Sequence, residues 1–427
     1  MRFVTRGLVV SFFLGAQLLL WLLGWLALLI TFRGKARRQQ WFAARLLALF
    51  KNLGATFIKV GQIMSTRPDL LPPHVTRALE KLQDQVGAFG YRHVERAFLD
   101  ELGKPPDELF DSFDREPIAS ASVAQVHKAT LPDGTAVAVK VRRPSLEHIV
   151  SFDLSVMRLF AWIISIVPSF RLLAPVQSVD EFGKAIRMQI DFTIEAENNR
   201  RFHENFGDDG DVTFPVLVPD LCTKRILTMS FIDGVKVLDF DPAISDPKRL
   251  AKIGFSTLLK MVFADGFVHA DLHPGNIFVT PDDRVVMLDL GLVAELDDFH
   301  RRMFAQFFTG WATGDAKLMA RIMVEFSPSA NCPDYQAFES DVTEFVAKYW
   351  GKQLGEVQTS QVAFDMMNIL RRHRVRVNPT FTMVNIAIAV TEGIGKQLAP
   401  ELDIMTEAVP FFAQVNVGAN LIDEPAS

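Results

Sequence analysis

The sequence predicts an α+β fold of two lobes, in which a small lobe is built on an antiparallel sheet and a larger lobe is mainly helical. Three observations predict it. Residues 136–141 alternate valine with other residues after a Pro-Asp-Gly turn, which is typical of a buried strand in a hairpin. Residues 269–291 hold polar side chains around a second hairpin. Residues 297–427 show the apolar spacing of helices.

The composition excludes some classes of protein. The chain has 427 residues, of which 49% are hydrophobic and 22% are charged, so it can bury a sizeable core. Its net charge of −5 argues against a nucleic-acid-binding surface. The only two cysteines, Cys222 and Cys332, lack the spacing of metal ligands, so we interpret them as small buried side chains in a reducing compartment.

The first apolar segment predicts a membrane anchor. Residues 7–32 carry no charge, and this stretch as a helix of roughly 39 Å exceeds the ~30 Å hydrocarbon core of a bilayer. A signal peptide has a shorter apolar region and a small-residue cleavage site, neither of which is present. The cations Arg33, Lys35, Arg37 and Arg38 follow the segment and favour a cytoplasmic body. We therefore expect a single-pass protein of a bacterial-type inner membrane.

Two other apolar runs do not predict a second crossing. Residues 159–168 are too few to span and are flanked by Arg158 and Arg171, so a core helix or a membrane-surface helix is the better interpretation. Residues 383–390 are soon followed by charged residues.

The second hairpin region carries the elements of phosphoryl-transfer chemistry. Asp271 and Asn276 lie five positions apart in His-Ala-Asp-Leu-His-Pro-Gly-Asn, and Asp289 follows the hairpin in Leu-Asp-Leu-Gly. This order matches the catalytic Asp, the metal-binding Asn and the metal-binding Asp of protein kinases. Asn276 and Asp289 offer the oxygen ligands that Mg²⁺ prefers, and Asp271 can orient or deprotonate an attacking hydroxyl group or water. We expect ATP and Mg²⁺ as cofactors.

The first hairpin and the loop before it predict a nucleotide-binding small lobe. Lys140 ends a Val-Ala-Val-Lys strand, the position of the phosphate-contacting lysine of a kinase. The loop that should cover the phosphates, residues 119–123, contains alanine and serine where kinases have glycine. Its backbone can still approach closely, but it lacks the freedom of glycine to adopt positive φ.

A kinase lysine also needs a carboxylate on a helix to hold it. Glu195 is the candidate, and Glu197 is the alternative. A strand that leaves into a linker, near residue 230, is the usual place for backbone hydrogen bonds to an adenine edge. The expected nucleotide contacts are Ala119, Ser120, Ala121, Ser122, Val123, Lys140, Ser230 and Ile232.

A third motif lies in the helical segment upstream. Lys59-Val-Gly61-Gln62 is a weak signal alone, because a lysine and a glutamine can simply lie on the wet face of a helix. Gly61 needs a further reason, since glycine inside a helix costs ~1 kcal/mol relative to alanine. Such a glycine usually marks close backbone approach or a kink.

Together these motifs carry a family resemblance. The chain resembles the UbiB/AarF family of atypical kinase-like ATPases, which is linked to ubiquinone biosynthesis and related isoprenoid-lipid metabolism. The resemblance covers roughly residues 50–300. It rests on KVGQ at 59–62, ASASVAQVH at 119–127, VAVK at 137–140, EAEN at 195–198, HADLHPGN at 269–276 and LDLG at 288–291. It implies a two-lobed protein-kinase-like fold.

The resemblance also implies roles for single residues. Lys140 would contact phosphates and pair with Glu195, and both would belong to the catalytic set with Asp271. Asn276 and Asp289 would bind the metal. No long activation segment ending in Ala-Pro-Glu follows Asp289, which favours ATP hydrolysis or an unusual small substrate over protein phosphorylation.

In such proteins the Lys-x-Gly-Gln helix packs over the place where a kinase admits a peptide, so Lys59 and Gln62 become gate residues. Relatives carry a Glu-x-Asp pair whose first acid partners that lysine, whereas this chain has Gln189-Ile-Asp191. Glutamine can accept a hydrogen bond from Lys59 but cannot supply its counter-charge. Asp191 is the candidate to take over that role.

The predicted order is an N-terminal tail at 1–6, a transmembrane helix at 7–32, a helical extension at 33–106, a small lobe at 107–232 and a large lobe at 233–427. Three functions remain open: a membrane-anchored ATPase that supports isoprenoid-lipid metabolism, a kinase for a small molecule or lipid, and a nucleotide-binding scaffold without catalysis. The first is favoured. The expected partners are the bilayer, isoprenoid-quinone precursors and biosynthetic enzymes, with no nucleic acid.

Overall fold

The computed structural model describes residues 34–65, 73–79, 81–82, 87–166, 175–207, 209–240, 245–327, 332–350, 359–375 and 379–400. The transmembrane helix predicted at residues 7–32 lies outside this part of the chain. Contacts divide the chain into two compact units. The first unit is Met1–Glu197 with Val216–Phe231, and the second unit is Asn198–Pro215 with Ile232–Ser427.

The described helices are, in chain order, α1 (Lys35–Leu53), α2 (Ala55–Ser65), α3 (Pro73–Leu79), α4 (Arg92–Leu102), α5 (Pro106–Leu109), α6 (Leu146–Ser165), α7 (Pro175–Gln189), α8 (Phe192–Phe206), α9 (Pro247–Leu259), α10 (Asp298–Thr313), α11 (Ala316–Glu325), α12 (Tyr335–Tyr349), α13 (Thr359–Arg372) and α14 (Pro379–Leu398). The described strands are β1 (Ser112–Phe113), β2 (Ala119–Ser120), β3 (Ala124–Thr130), β4 (Ala136–Arg142), β5 (Val212–Thr213), β6 (Ile226–Ser230), β7 (Val235–Lys236), β8 (Phe267–His269), β9 (Ile277–Val279), β10 (Val285–Met287) and β11 (Val293–Glu295).

The first unit begins with packed helices around Gly61 in α2. A Cβ atom at Gly61 would lie 2.2 Å from Leu82 Cδ1 and 2.6 Å from Phe50 Cδ2. Both neighbours belong to a buried apolar cluster shared by α1, α2 and α3. The close approach that the sequence predicted for this glycine is therefore confirmed.

An antiparallel sheet forms the centre of the first unit, as the sequence predicted for the small lobe. Its strands lie in the order β1-β3-β4-β6, and β2 pairs with β3. Val137, Val139 and Val141 of β4 are fully buried on one face. Because successive side chains of a strand point to opposite faces, Lys140 projects from the other face.

Helices α6 and α7 pack against each other in the same unit. Val150 and Leu154 of α6 share a buried cluster with Phe182 and Ile186 of α7. The apolar run predicted at residues 159–168 begins in the last turns of α6. Among the described residues, α6 alone is long and apolar enough to cross a membrane by length and composition, although 22% of its most apolar window is buried inside the protein.

The second unit is mainly helical and holds two small sheets, which confirms the character predicted for the large lobe. One sheet has the order β5-β10-β9-β7 and the other pairs β8 with β11. The β9–β10 hairpin is the one predicted before Asp289, and its register pairs Ile277 with Met287. Helices α9, α10 and α14 contribute to the buried core that backs these strands. The loops that carry the predicted chemistry therefore begin and end on short, buried strands.

Candidate functional site

Strand β4 and helix α8 bring Lys140 and Glu195 together in the first unit. Lys140 Nζ donates to Glu195 Oε1 at 2.9 Å and to Oε2 at 2.8 Å. The side chains are only 13% and 6% exposed, so water screens this pair little. The buried ring of Phe192 lies 5.2 Å from Lys140 Nζ. The contact that the sequence suggested between Lys140 and Glu195 is thus present, whereas their catalytic roles remain a prediction.

Residues 119–123 comprise β2 and the tight turn that leads into β3. Arg143, which directly follows β4, holds it: Arg143 Nε donates to the Ala121 carbonyl oxygen at 2.8 Å, and Arg143 Nη2 donates to Ser120 Oγ at 3.0 Å. The Arg143 backbone N–H also donates to the Val123 carbonyl oxygen at 2.9 Å. None of residues 119–123 adopts positive φ, so this turn does not require glycine.

Of the two predicted adenine-side residues, Ser230 is the last residue of β6. Ser230 donates its backbone N–H to the Val216 carbonyl oxygen at 2.8 Å, and Ser230 Oγ accepts the Val216 N–H at 3.0 Å. These polar groups of Ser230 are therefore already engaged. Ile232 follows two residues later, half-buried and outside any strand.

In the second unit, Asp271 and Asn276 lie in the connection between β8 and β9. Asn276 Nδ2 donates to the Asp271 carbonyl oxygen at 3.1 Å. This bond fixes the amide orientation of Asn276, since only its NH₂ group can face a carbonyl. Asn276 is buried, and its Oδ1 accepts no hydrogen bond from the residues that the structure describes. The amide oxygen is thus available for an external partner.

Asp289 lies in a strained turn directly after the hairpin. Its φ is 55°, a left-handed conformation that costs a non-glycine residue ~1–3 kcal/mol and persists only where the surroundings impose it. Two buried side chains do so. His269 Nε2 lies 3.0 Å from the Leu288 carbonyl oxygen, and Asn198 Nδ2 donates to the Leu290 carbonyl oxygen at 2.7 Å. The carbonyl groups of the residues before and after Asp289 are therefore held.

The protonation of His269 follows from its two contacts. His269 Nδ1 accepts the Asp271 backbone N–H at 3.2 Å, so Nε2 must carry the proton that is donated to Leu288. Complete burial lowers the pKa of His269 below its ordinary value of 6.5, while the nearby charges of Asp271 and Asp289 oppose that shift. The neutral ring connects the Asp271 loop to the Asp289 turn.

The predicted gate residues lie in the first unit. Lys59 and Gln62 are three residues apart in α2 and so share one side of that helix. Gln62 Nε2 donates to the Leu82 carbonyl oxygen at 3.0 Å. Gln189 ends α7, and its Oε1 is enclosed without a hydrogen bond from the described residues. The gate role of these side chains remains a prediction.

Asp191, the residue proposed to replace the family glutamate, has other contacts. It caps the start of α8 by accepting from the Thr193 backbone N–H at 3.2 Å and from Thr193 Oγ1 at 2.6 Å. Its second oxygen lies 3.5 Å from Lys224 Nζ. Within the described residues these contacts, and none with Lys59, satisfy Asp191.

The donor set of Asn276 and Asp289 suits Mg²⁺. Within the described ranges no group of three or more His, Cys, Asp or Glu side chains forms a metal site made by protein alone. Mg²⁺ usually takes one or two protein carboxylates and fills its remaining positions with water and phosphate oxygens. An amide oxygen and one carboxylate on adjoining loops meet that need.

Sequence reasoning missed two residues that organise these loops. Asn198 lies three residues after Glu195 in α8. Its only sequence signal was its position on the same side of the helix as Glu195. The sequence gives no indication of the role of Arg143, because a basic residue after a strand is ordinarily exposed to solvent. Its contacts return to residues 22 and 23 positions earlier in the chain.

Comparison with known families gives two matches. A model described as the ABC1 atypical kinase-like domain matches residues 81–323, and one described as the UbiB helical domain matches residues 342–403. The chain is 33% identical over 376 residues to a probable protein kinase UbiB from Tolumonas auensis. It is 34% identical over 376 residues to a protein of the same description from Aliivibrio fischeri. Both alignments cover 86% of this chain and 69% of the relative.

A solved structure supports the fold. The complex of Rv3197 with erythromycin from Mycobacterium tuberculosis superposes with a TM-score of 0.54 at 22% identity, over 79% of this chain and 87% of that one. At this identity the likeness shows the fold alone. The fold, the motifs and the sequence relatives all indicate an atypical kinase-like protein.

Proposed function

The chain belongs to the UbiB family of ABC1 atypical kinase-like proteins, and from this premise we propose that it is a membrane-anchored ATPase that binds Mg-ATP and supports ubiquinone or related isoprenoid-lipid metabolism. The observation that carries the proposal is the Asp289 turn. A strained carboxylate-bearing residue is held by two buried side chains in a loop next to Asp271 and Asn276. Such local strain is typical of functional sites.

In the proposed reaction the first unit binds the phosphates. Lys140 donates to phosphate oxygens, and Glu195 keeps the ammonium group extended from β4. The turn at residues 119–123 would cover the phosphates, and Arg143 holds the backbone of this turn in place. These residues bind and orient the nucleotide without any change in their own protonation.

The second unit supplies the metal ligands and the catalytic carboxylate. Bound Mg²⁺ would neutralise charge on the phosphates, with Asn276 and Asp289 as its protein ligands. Asp271 would orient the attacking water or hydroxyl group through its carboxylate. Its backbone is fixed by the neutral His269 ring and by the amide of Asn276.

The segment after Asp289 supports hydrolysis over protein phosphorylation. It continues into β11, which pairs along its whole length with β8, from Val293 opposite His269 to Glu295 opposite Phe267. Asp297 then caps α10 by accepting the His300 backbone N–H at 2.8 Å. This short, paired segment stands where a protein kinase has the long loop that presents a peptide.

The anchor completes the proposal. The charge-free residues 7–32 would cross an inner membrane, with the body on the cytoplasmic side, where isoprenoid precursors and their enzymes meet the lipid surface. The same residues also suit a kinase for a small molecule or lipid. The fate of the γ-phosphate separates the two functions.

A direct test uses the full chain in lipid nanodiscs. Wild-type protein should bind the Mg²⁺ complex of ATP and release inorganic phosphate, whereas Asp289→Asn should lose both. Asp282→Asn, which changes an exposed carboxylate in the nearby hairpin turn, is the matched control and should behave as wild type. Unchanged binding and turnover in Asp289→Asn would overturn the proposal.

Labelled ATP distinguishes the alternatives. Label recovered in a lipid or small-molecule fraction indicates a kinase, and label recovered only as free phosphate indicates an ATPase. Complementation of a deletion strain by Asp271→Ala would indicate a scaffold, with quinone content as the readout.

A further inference from the structure

The last turns of α6 expose a concentrated apolar surface. Six large side chains within eight residues are between 41% and 58% exposed: Leu159, Phe160, Trp162, Ile163, Ile164 and Ile166. We call this surface the apolar end of α6. Single exposed apolar residues are ordinary in soluble proteins, but a contiguous group of large ones marks an interaction surface.

The apolar end covers one broad side of the helix. At ~100° per residue the six side chains span an arc of about 200°. Ala161, which is 5% exposed, lies on the opposite side and continues the stripe of Val150 and Leu154 that packs in the core. In its last turns the helix therefore packs against the rest of the unit through a narrow face and exposes a wide apolar face.

The charges of α6 argue for docking on a membrane rather than crossing it. Asp153 is completely buried within the protein. The exposed positions of the first three turns of α6 include the polar residues Glu147, His148 and Ser151, so that half does not face lipid chains. The apolar end itself carries no charge. Arg158 stands at its border and pairs with Asp180 at 3.3 Å.

The chain outside the described residues indicates which surface covers the apolar end. Two residues separate the uncharged residues 7–32 from α1, which begins at Lys35. Leu46 and Leu47 of α1 pack in the same apolar cluster as Phe152 and Val156 of α6. The helical rise from Lys35 to Leu46 is roughly 17 Å. The predicted anchor is thus tied closely to α6.

We propose that the apolar end of α6 inserts into the interfacial region of the bilayer that holds the anchor. This inference rests on the anchoring part of the proposed function. Trp162 suits the boundary between headgroups and acyl chains, and the exposed Arg37 and Arg38 at the start of α1 suit anionic headgroups. The first unit then has two attachments to the membrane, a spanning segment and a lipid-embedded helix end.

Depth-dependent quenching of tryptophan fluorescence tests the proposal. The full chain is reconstituted into vesicles of phosphatidylethanolamine and phosphatidylglycerol, with or without bromine on the acyl chains. Trp162→Phe should lose part of the emission that bromolipids quench. Trp350→Phe, which changes a 51% exposed tryptophan of the second unit, is the matched control and should leave the quenched emission unchanged.

A second set of variants changes the apolar end of α6 and keeps Trp162 as the fluorescent probe. Leu159→Ser, Ile163→Ser and Ile166→Ser together should abolish the quenching of Trp162 and leave the midpoint of thermal unfolding within a few degrees, because all three side chains are exposed. Val216→Ser with Val235→Ser, at 63% and 47% exposure, should leave the quenching unchanged.

The outcomes separate this inference from the anchoring proposal. A chain that resists carbonate extraction but shows equal bromolipid quenching in wild type and Trp162→Phe overturns the docking of α6 alone. Release of the protein from the membrane by carbonate would overturn the proposed transmembrane anchor. Trp162 emission that depends on protein concentration and not on bromolipids would assign the surface to a second copy of the chain and would also overturn the proposal.

Discussion

Asn198→Ala tests whether the strained turn at Asp289 is held from outside. The substitution removes a 2.7 Å hydrogen bond from a side chain that is 7% exposed and leaves the Leu290 carbonyl oxygen buried without that donor. An unsatisfied buried acceptor costs about 1–3 kcal/mol. The turn itself stores ~1–3 kcal/mol, so relaxation of Asp289 away from its φ of 55° becomes favourable.

The magnitude follows from that comparison. If 1–3 kcal/mol of the free energy that keeps Asp289 in place is lost, the affinity for Mg²⁺ should fall about 5–150-fold. Substitutions of residues that hydrogen-bond to metal-binding loops commonly lower metal affinity by about 10–100-fold. We expect the Mg²⁺ concentration required for half-maximal binding of a fluorescent ATP analogue to rise about 10–100-fold. Titration of Mg²⁺ at fixed analogue concentration measures it.

Asn199→Ala is the matched control. Asn199 is the next residue of α8, is 5% exposed and donates to the Pro215 carbonyl oxygen at 2.9 Å, away from the turn. Both variants should lower the free energy of unfolding by about 1–3 kcal/mol. Only Asn198→Ala should change the Mg²⁺ requirement. Equal Mg²⁺ requirements in the two variants would refute the role assigned to Asn198.

Three further predictions concern the first unit. Glu195→Gln should lower the free energy of unfolding by about 1.5–3 kcal/mol and weaken nucleotide binding, because it removes the charged acceptor of Lys140. Urea denaturation and titration with the ATP analogue measure the two effects. The control Glu204→Gln, in an exposed ion pair of the same helix, should lower the free energy of unfolding by less than about 1 kcal/mol. Gly61→Ala should lower the melting temperature, although alanine favours helix by ~1 kcal/mol, since the new methyl overlaps Leu82 and Phe50; an unchanged or raised melting temperature would contradict the packing. Acidification should destabilise the protein through His127, whose pKa burial holds below its ordinary 6.5 while Nδ1 faces the Asp114 carbonyl oxygen and Nε2 faces Gln125.

The sign of the His127 effect follows from proton uptake. Between the lowered folded pKa and about 6.5 the unfolded chain binds the extra proton, so the free energy of unfolding falls as pH falls, by at most about 1.4 kcal/mol per pH unit. Above about pH 6.5 the contribution is fully present. Urea denaturation of wild type and His127→Gln at about pH 7.5 and about pH 5.5 measures it. An equal pH dependence in both proteins would count against His127 as the group responsible.

Local signals in the sequence predicted the parts of the site that short segments determine. The Pro-Asp-Gly turn and the alternating valines placed Lys140 on a buried strand, and the spacing of Asp271 and Asn276 placed them in one connection. The partner of Asp191 was not predictable in this way. Lys224 lies 33 residues later, and its approach depends on how β6, the strand that follows it, packs.

The outward side of α6 shows the same limit. Composition predicted a core helix or a membrane-surface helix at residues 159–168, but the choice depends on which side chains the fold covers. Only the packed structure separates Ala161, which is covered, from Trp162, which is not. Apolar periodicity identifies the apolar face of a helix, but it does not show whether protein or lipid covers that face.

The left-handed backbone at residue 289 also restricts what evolution can place there. Asparagine, aspartate and glycine enter this conformation at a lower cost than β-branched and bulky residues do. In a library of all substitutions at this position, folded protein should accumulate for Asn and Gly and decline for Val and Ile, independently of any activity. A relative of this protein that kept the fold but lost the carboxylate would therefore be expected to carry asparagine or glycine at residue 289.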